Sequence, residues 1–225
     1  MAKLILYHGS SKIIEKPVYG EGKTWNDYGR GFYCTQNKEL SKEWACPDNN
    51  DGFSNCYEIQ TDDLKILNLQ DRDFNILHWL TILIQNRKFD LDTPIMRQAD
   101  FYLKNNFSID LTNFDAIIGY RADDSYFSFA RAFLSNAISL EQLKISMKLG
   151  KLGEQFMLKS SKAFNLIKFT GYEIAEARIY SSRRKKRDSD AKNQYKELLS
   201  NNDISGLFIR DLILREVKSD DECLR

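Results

Sequence analysis

The chain has 225 residues, of which 42% are hydrophobic and 29% charged, which is typical of one globular domain or of a domain with an extension. Its 33 Lys and Arg against 32 Asp and Glu exclude a global attraction to nucleic acid or to acidic membranes. Only 3 Pro and 11 Gly exclude collagen-like, linker-rich and low-complexity chains.

The N-terminal part of the chain alternates strand and turn signals. A short apolar run predicts a strand that stops at His8-Gly9-Ser10, where a turn permitted by glycine presents the histidine. Asn37 has a side chain suited to a helix N-cap. The predicted elements are strands at 3–7, 31–35 and 56–60 and a helix at 37–44, with turn-forming residues from 17 to 31.

The middle of the chain is richer in helical spacing. Ser139 and Gln142 have the spacing of a capping box at the start of one helix. Strands that occur both early and late, with helices between them, indicate an α+β fold. The predicted helices are 73–87, 94–106, 125–136 and 139–149, and the predicted strands are 115–119, 155–159 and 166–172.

The C-terminal part begins with a basic run, Arg-Arg-Lys-Lys-Arg, at residues 183–187. We interpret it as the solvated start of a helix that continues to about residue 199, with a docking patch for RNA, DNA or an acidic protein as the alternative. A last amphipathic helix is predicted at 204–218. Its apolar face, which favours packing on the parent domain over partner binding, includes Leu207, Ile209, Leu212 and Ile213.

The cysteines and the apolar runs indicate a compartment. Four cysteines, at positions 34, 46, 56 and 223, form no close pair, and the apolar N-terminal stretch is too short for a signal peptide. No apolar run approaches the roughly 20 residues that cross a bilayer. We therefore expect a soluble protein of the reducing cytoplasm, with no membrane partner.

Two histidines in the whole chain exclude histidine-rich metal centres and tandem proton relays, and we predict no metal site. His78 lies among apolar residues at helical spacing, which is typical of a helix-surface or satisfied core residue. His8 is more informative. Gly9 beside it has no side chain to block a ligand, and its backbone amide and carbonyl can bond a carboxamide. His8, Gly9 and the aromatic residues further along the chain together predict a concave site for a flat polar ring.

Two short motifs carry a resemblance to a known family. His8-Gly9-Ser10, followed by the segment GRGFY at residues 29–33, resembles the NAD-binding signature of ADP-ribosyltransferases of the diphtheria-toxin and poly(ADP-ribose) polymerase type. In that family the motifs read HG followed by S or T, and GxG followed by I or F and then Y. The wider pattern DYGRGFYCT, SKEWA, DAIIGYRADD and EQFMLKSSKAF is similar to an uncharacterised bacterial family of the same clan, over roughly residues 4–172.

This resemblance implies a fold and an NAD site. The fold is an α+β, split, mostly antiparallel sheet at residues 1–180, with a helical insertion near 70–150 and C-terminal helices at 181–225. His8 would hold the adenosine ribose, the Gly9 backbone would bond the nicotinamide amide, Ser10 would support the turn, and Tyr33 and Trp44 would sandwich the nicotinamide. The implied NAD-binding positions are His8, Gly9, Ser10, Gly31, Phe32, Tyr33, Ser41 and Trp44.

The third catalytic position departs from the family pattern. The polymerase-like enzymes have a glutamate at the start of a late strand, whereas Gln155 matches that register here, with Glu154 beside it. The chain is thus a His-Tyr-Gln variant with catalytic candidates His8, Tyr33, Gln155 and Glu154. Glutamine hydrogen-bonds but supplies no charge to an oxocarbenium-like transition state, and Glu154 replaces it only if a bulge turns it to the same face.

A polar segment follows the predicted strand at 115–119. Arg121 suits a pyrophosphate contact, although a surface arginine is an equal interpretation. Asp123 and Asp124 are placed on the acceptor side of the site, and the alternative is a turn with a helix N-cap supplied by Asp124 or Ser125.

The implied function is a mono-ADP-ribosyltransferase that cleaves NAD and transfers ADP-ribose to a macromolecular acceptor, either a protein or a nucleic acid. Water as acceptor would make the protein an NAD glycohydrolase. The bacterial clan further implies a toxin or defence effector with a small antitoxin-like protein partner. Two alternatives remain open, namely a non-catalytic NAD or ADP-ribose-binding module and a protein related to RNA 2'-phosphotransferases that uses residues 183–187.

Overall fold

The secondary structure comes from a computed structural model that describes residues 3–122, 124–149, 153–200, 203 and 205–224. The strands are β1 (Lys3–Ser10), β2 (Phe32–Cys34), β3 (Gly52–Gln60), β4 (Ile66–Asn68), β5 (Ala116–Tyr120), β6 (Glu154–Leu158) and β7 (Ile167–Ala175). The helices are α1 (Lys38–Ala45), α2 (Ile76–Asn86), α3 (Pro94–Asn106), α4 (Asp124–Leu134), α5 (Leu140–Ser146), α6 (Ser161–Leu166), α7 (Ala177–Ser200) and α8 (Ile209–Leu214), followed by a 3₁₀ turn at Glu222–Leu224.

The strands form two sheets, so the α+β fold class predicted from the sequence is confirmed. One sheet has the order β1-β3-β7 and is antiparallel throughout. The other has the order β2-β6-β5-β4, with β4 and β5 parallel and its other pairs antiparallel. The sheets meet at a bridge in which Tyr7 and Thr35 exchange backbone hydrogen bonds of 2.8 and 2.9 Å. Beyond this bridge β1 and β2 pair with different neighbours.

A glycine inside β1 corrects the first prediction. We expected the strand to end in a turn at His8 and Gly9, but β1 continues in regular register to Ser10, which pairs with Phe53. Gly9 is required because α1 packs directly on it. A Cβ atom at this position would lie 2.0 Å from the Ser41 carbonyl oxygen. The absence of a side chain at Gly9 therefore allows α1 to pack directly on β1.

Helix α2 is the centre of the larger apolar core. Its residues from Ile76 to Ile84 are all buried, and α3, α4, α5 and α8 contribute side chains to the same cluster. His78 is a satisfied core residue, as predicted, because its Nδ1 accepts a hydrogen bond from the Asn75 backbone at 3.1 Å. The capping box predicted for Ser139 and Gln142 is confirmed at the start of α5.

Short elements and element ends account for most differences from the predicted secondary structure. Neither β4, with three residues, nor α6, with six, was predicted, because such short segments carry little periodicity. The helix predicted at 204–218 is limited to Ile209–Leu214, and residue 204 lies outside the described part of the chain. The domain boundary expected at residue 180 falls inside α7, which is continuous from Ala177 to Ser200.

The basic run on α7 is partly structural. Arg187 makes two hydrogen bonds of 2.7 and 2.8 Å to Glu43 on α1, and Glu43 is only 3% exposed. Arg183 pairs with Glu39 on the same helix at 2.8 Å, in an exposed position. These contacts correct the interpretation of the run as simply a solvated helix start. On α8, Ile209 and Leu212 are fully buried in the core, so the predicted packing of this face on the parent domain is confirmed for them.

None of the helices in the described ranges combines the length and the apolar character that a bilayer crossing demands.

Replacing Arg187 by methionine should destabilise the protein by about 3–5 kcal/mol, because the buried Glu43 carboxylate loses its partner. Arg183→Met is the matched control, since exposed pairs such as Glu39 with Arg183 contribute about 0–1 kcal/mol. Urea denaturation followed by circular dichroism measures both free energies of unfolding. Equal losses in the two variants would contradict a specific role for the buried pair.

Candidate functional site

A cavity of about 490 Å³ opens where β1 and β2 separate. This volume lies within the range of small-molecule sites. Its walls come from the start of β6, the segment after β5, the end of α1 and the loop between β1 and β2. The lining residues are His8, Gly9, Ile14, Pro17, Val18, Glu21, Gly22, Lys23, Asn26, Asp27, Gly31, Phe32, Tyr33, Trp44, Arg87, Arg121, Ala122, Gln155 and Phe164.

His8 is held in one orientation and one tautomer. Its Nδ1 lies 2.7 Å from the Tyr33 carbonyl oxygen, and because a carbonyl only accepts, Nδ1 carries the proton. The ring stacks on Phe32 with 4.3 Å between centroids. Burial lowers the pKa of His8 against the opposing effect of this hydrogen bond. The imidazole is therefore neutral near pH 7, and its Nε2 is an acceptor.

Gly9 presents its backbone to the cavity. Tyr7 exchanges both of its backbone hydrogen bonds with Thr35, on the side of β1 away from β3. Residues two apart on an antiparallel strand direct their amide and carbonyl to the same side. Because β1 has no register shift along its pairing with β3, the amide and carbonyl of Gly9 point into the gap beyond the bridge. A donor and an acceptor thus lie together on the cavity wall.

Tyr33 forms a rigid flat surface. Its hydroxyl donates to the Gly29 carbonyl at 2.6 Å and accepts from the Tyr28 amide at 3.0 Å. The rings of Tyr28 and Tyr33 are nearly parallel, with centroids 6.4 Å apart. Burial raises the pKa of Tyr33 far above that of a free tyrosine. The side chain is therefore a fixed, neutral phenol rather than an acid or base.

Trp44 has one face covered. The Arg121 guanidinium lies 4.1 Å from the centre of the Trp44 ring, and both residues line the cavity. This is a cation–π contact, which fixes a positive charge at the site. The buried Trp44 Nε1 has no hydrogen-bond partner among the described residues. Arg121 therefore occupies one face of the Trp44 ring, and that face is not available for stacking with a ligand.

Gln155 is 3% exposed and lies at the cavity end of β6. Its Nε2 donates to Asp27 Oδ2 at 2.9 Å and to the Tyr120 carbonyl at 3.2 Å. The same carbonyl accepts from the Tyr28 hydroxyl at 2.5 Å and from Trp79 Nε1 at 3.0 Å. The amide of Gln155 is thus bound into a polar cluster at the floor of the site.

Asp27 is the site residue that the sequence did not reveal. It stands in a turn-rich segment, yet it is only 5% exposed. Its Oδ2 accepts from the Ala122 amide and from Gln155, both at 2.9 Å, and Oδ1 pairs with Arg87 at 3.1 Å. Burial raises the pKa of Asp27, while these donors and the nearby Arg121 act in the opposite direction.

Three of the predicted positions lie outside the cavity. Ser41 is fully buried between α1 and β3, where its hydroxyl contacts Ser54 at 2.5 Å and donates to the Lys38 carbonyl. Ser10 is the last residue of β1, and its hydroxyl accepts a hydrogen bond from the Lys12 amide at 3.2 Å in an exposed position. Glu154 is exposed, and because β6 pairs without a register shift it stays on the face opposite Gln155.

The two acceptor-side candidates, Asp123 and Asp124, differ from the other predicted positions because neither has a described side chain. Asp123 lies outside the described residues, and Asp124 begins α4 with a side chain that is not described. Ser125 lies inside α4, where its hydroxyl donates to Asp188 on α7. Both Asp124 and Ser125 belong to α4, so the alternative that one of them is its N-cap is wrong.

The raised pKa of Asp27 predicts a pH dependence of stability. The native protein binds a proton at Asp27 more readily than the unfolded chain, so ionisation costs stability as the pH rises from about 4 through the native pKa. In Asp27→Asn this contribution is absent, and the stability of the variant relative to wild type should rise over that window. Guanidinium denaturation at several pH values measures it. Parallel pH profiles for the two proteins would contradict the burial argument.

Comparison with known proteins identifies a family whose matched region contains the whole cavity. A family described as a protein of unknown function, DUF3990, matches residues 4–169 of the 225. The match includes every residue that lines the cavity. No curated protein and no solved structure matches the chain. On the extent of the family match, the chain belongs to the DUF3990 family.

Proposed function

We propose that the cavity binds NAD as a substrate and that the protein is a mono-ADP-ribosyltransferase. The observation that carries this proposal is that one cavity collects His8, Gly9, Tyr33, Trp44 and Gln155, which come from four separate parts of the chain. These are the positions on which the resemblance to ADP-ribosyltransferases depends. Residues brought together only by the fold are better evidence for a site than the separate motifs.

The sheet arrangement supports the finer description of the fold as ADP-ribosyltransferase-like. Two sheets of three and four strands meet at the backbone bridge of Tyr7 and Thr35 and then separate. A split between sheets exposes strand edges that are otherwise used for pairing. It therefore gives the site backbone donors and acceptors in fixed positions, as binding of an amide-bearing ring requires.

His8 and Gly9 suit two separate parts of NAD. With Nδ1 committed to the Tyr33 carbonyl, His8 Nε2 can accept a hydrogen bond from a hydroxyl of the adenosine ribose. The amide and carbonyl of Gly9 complement the carbonyl and amino group of a carboxamide. The fixed ring of Tyr33 offers a stacking surface for the nicotinamide.

Positive charge at the cavity wall suits the pyrophosphate. Arg121, Arg87 and Lys23 all line the cavity. Arg121 is held over Trp44, and Arg87 is held by Asp27, so two guanidinium groups are fixed before a ligand arrives. Guanidinium groups match phosphate oxygens in geometry as well as charge.

In the proposed reaction the bond between the nicotinamide nitrogen and the ribose anomeric carbon breaks. The bonding electrons leave with nicotinamide, which becomes neutral, and positive charge develops on the ribose. An acceptor nucleophile then bonds the anomeric carbon and loses its proton. Polar groups that face the developing positive charge stabilise the transition state and lower the barrier. Among the lining side chains, we assign this role to Gln155.

Wild-type protein should release nicotinamide from NAD, and His8→Ala should reduce the rate at least about 100-fold, because the ribose loses its fixed acceptor. His78→Gln is the matched control at the only other histidine. Glutamine at this helix position preserves the capping interaction, so activity should be unchanged. Liquid chromatography of nicotinamide, with and without cell lysate as a source of acceptor, measures the rates. Equal activity in wild type and His8→Ala would refute the site.

A second candidate function is a non-catalytic module that binds NAD or ADP-ribose. The specific observation in its favour is Gln155, which is neutral where the polymerase-like enzymes have a carboxylate. Calorimetric titration with NAD separates the two functions. Binding that depends on His8, with no nicotinamide release under any acceptor condition, would establish the module.

We further propose that the activity serves as a bacterial toxin or defence effector in the cytoplasm, where the four unpaired cysteines are stable. Its acceptor is a protein or a nucleic acid, and a small antitoxin-like protein would neutralise it. Induced expression of the wild type in bacteria should arrest growth, whereas His8→Ala expressed to the same level should not. Growth curves with matched immunoblots test this, and equal toxicity of the two proteins would exclude NAD cleavage as its cause.

A further inference from the structure

The cavity contains a buried carboxylate that the proposed function has not used. Asp27 lines the cavity and contacts Gln155 directly. Gln155 can accept hydrogen bonds but is neutral, whereas an oxocarbenium-like state calls for negative charge nearby. Together the two side chains meet this requirement, because Gln155 can accept a hydrogen bond from the ribose and the Asp27 carboxylate beside it carries the negative charge.

The contacts of Gln155 fix which way its amide faces. Two of the groups around its nitrogen, the Asp27 carboxylate and the Tyr120 carbonyl, only accept hydrogen bonds. The nitrogen must therefore occupy this position, and a flipped amide would place oxygen against two oxygens. Within the described ranges no group donates a hydrogen bond to Oε1, and this atom is not among the buried polar atoms without a partner. Oε1 thus remains accessible as an acceptor for a ribose hydroxyl.

Asp27 is itself held so that it can hold Gln155. Its Oδ1 pairs with Arg87 and its Oδ2 accepts from the Ala122 amide as well as from Gln155. The carboxylate is therefore anchored from the end of α2, the segment after β5 and the start of β6. Arg121, Tyr28 and Tyr33 also face it, and only Arg121 among these three is charged.

We propose that Asp27 is the positioning residue for Gln155 and supplies the negative charge that position 155 lacks, so that the two side chains act as one unit on the reacting ribose. This inference rests on the proposed function. The amide transmits the charge because a carboxylate bound to its nitrogen polarises it and makes Oε1 a stronger acceptor. Contact and charge, which one glutamate combines, are here divided between two residues.

The test exchanges the two side chains. Asp27→Asn should lower kcat for nicotinamide release about 100-fold with KM within about threefold, since charge is lost while the ligand contacts remain. Gln155→Glu should also lower kcat, because two carboxylates then face each other and cannot both ionise. The double variant Asp27→Asn with Gln155→Glu restores one carboxylate and one amide. It should exceed either single variant in kcat at least tenfold.

Two further comparisons make the result decisive. Asp115→Asn is the control for charge removal, because Asp115 bonds Ser160 and the Lys65 amide outside the cavity. Its kcat should equal that of wild type. If Asp27→Asn alone does not fold, the double variant is compared with Gln155→Glu, since both carry a carboxylate at position 155 and differ only at position 27.

The failure of this inference is distinct from that of the proposed function. Release by wild type together with a kcat within threefold for Asp27→Asn would overturn the inference alone. A folded double variant no faster than Gln155→Glu would overturn it as well. Absence of release by wild type and by all variants would overturn the proposed function and, with it, the pairing of Asp27 and Gln155 as a catalytic unit.

Discussion

The carboxylate of Asp27 joins segments that are otherwise far apart in the chain. It contacts Arg87 at the end of α2, Ala122 after β5 and Gln155 at the start of β6. Without it the four-stranded sheet and helix α2 would still pack through their apolar faces, but the polar groups where they meet would lack a common acceptor. The shape of the cavity floor depends on this one buried charge, since a buried charge is tolerated only with several donors around it.

The opposite wall depends on close packing. Because α1 lies against Gly9, the strand can continue past the Tyr7 bridge with no side chain between it and the helix. Gly31 is constrained in the same way, since a Cβ atom there would lie 2.2 Å from Met157 Sδ on β6. Both glycines are thus fixed by neighbouring elements, and the backbone edges they leave uncovered line the cavity. The close packing at Gly9 and Gly31 therefore leaves backbone groups exposed to the cavity.

The sequence predicted the fold class and the central helices, because long periodic segments are local signals, as are helix caps such as Asn37 and Ser139. Eight of the 19 residues that line the cavity were also among the site positions expected from the sequence, including His8, Gly9 and Tyr33. It missed Asp27 because that residue looks like an ordinary turn aspartate, and its partners lie from 60 to 128 positions away. Local patterns contain no information on contacts of that range.

Burial of Asp27 raises its pKa, which means that the ionised form costs the fold free energy. An apolar side chain of similar size would avoid that cost, as replacements of buried ion pairs by packed apolar groups demonstrate. The four groups that compensate for the cost, three donors and one additional arginine, lie at the cavity wall and not within the apolar core. The residue that destabilises the fold in its ionised form therefore lies where the proposed chemistry takes place. Packing alone gives no reason for an aspartate at this position.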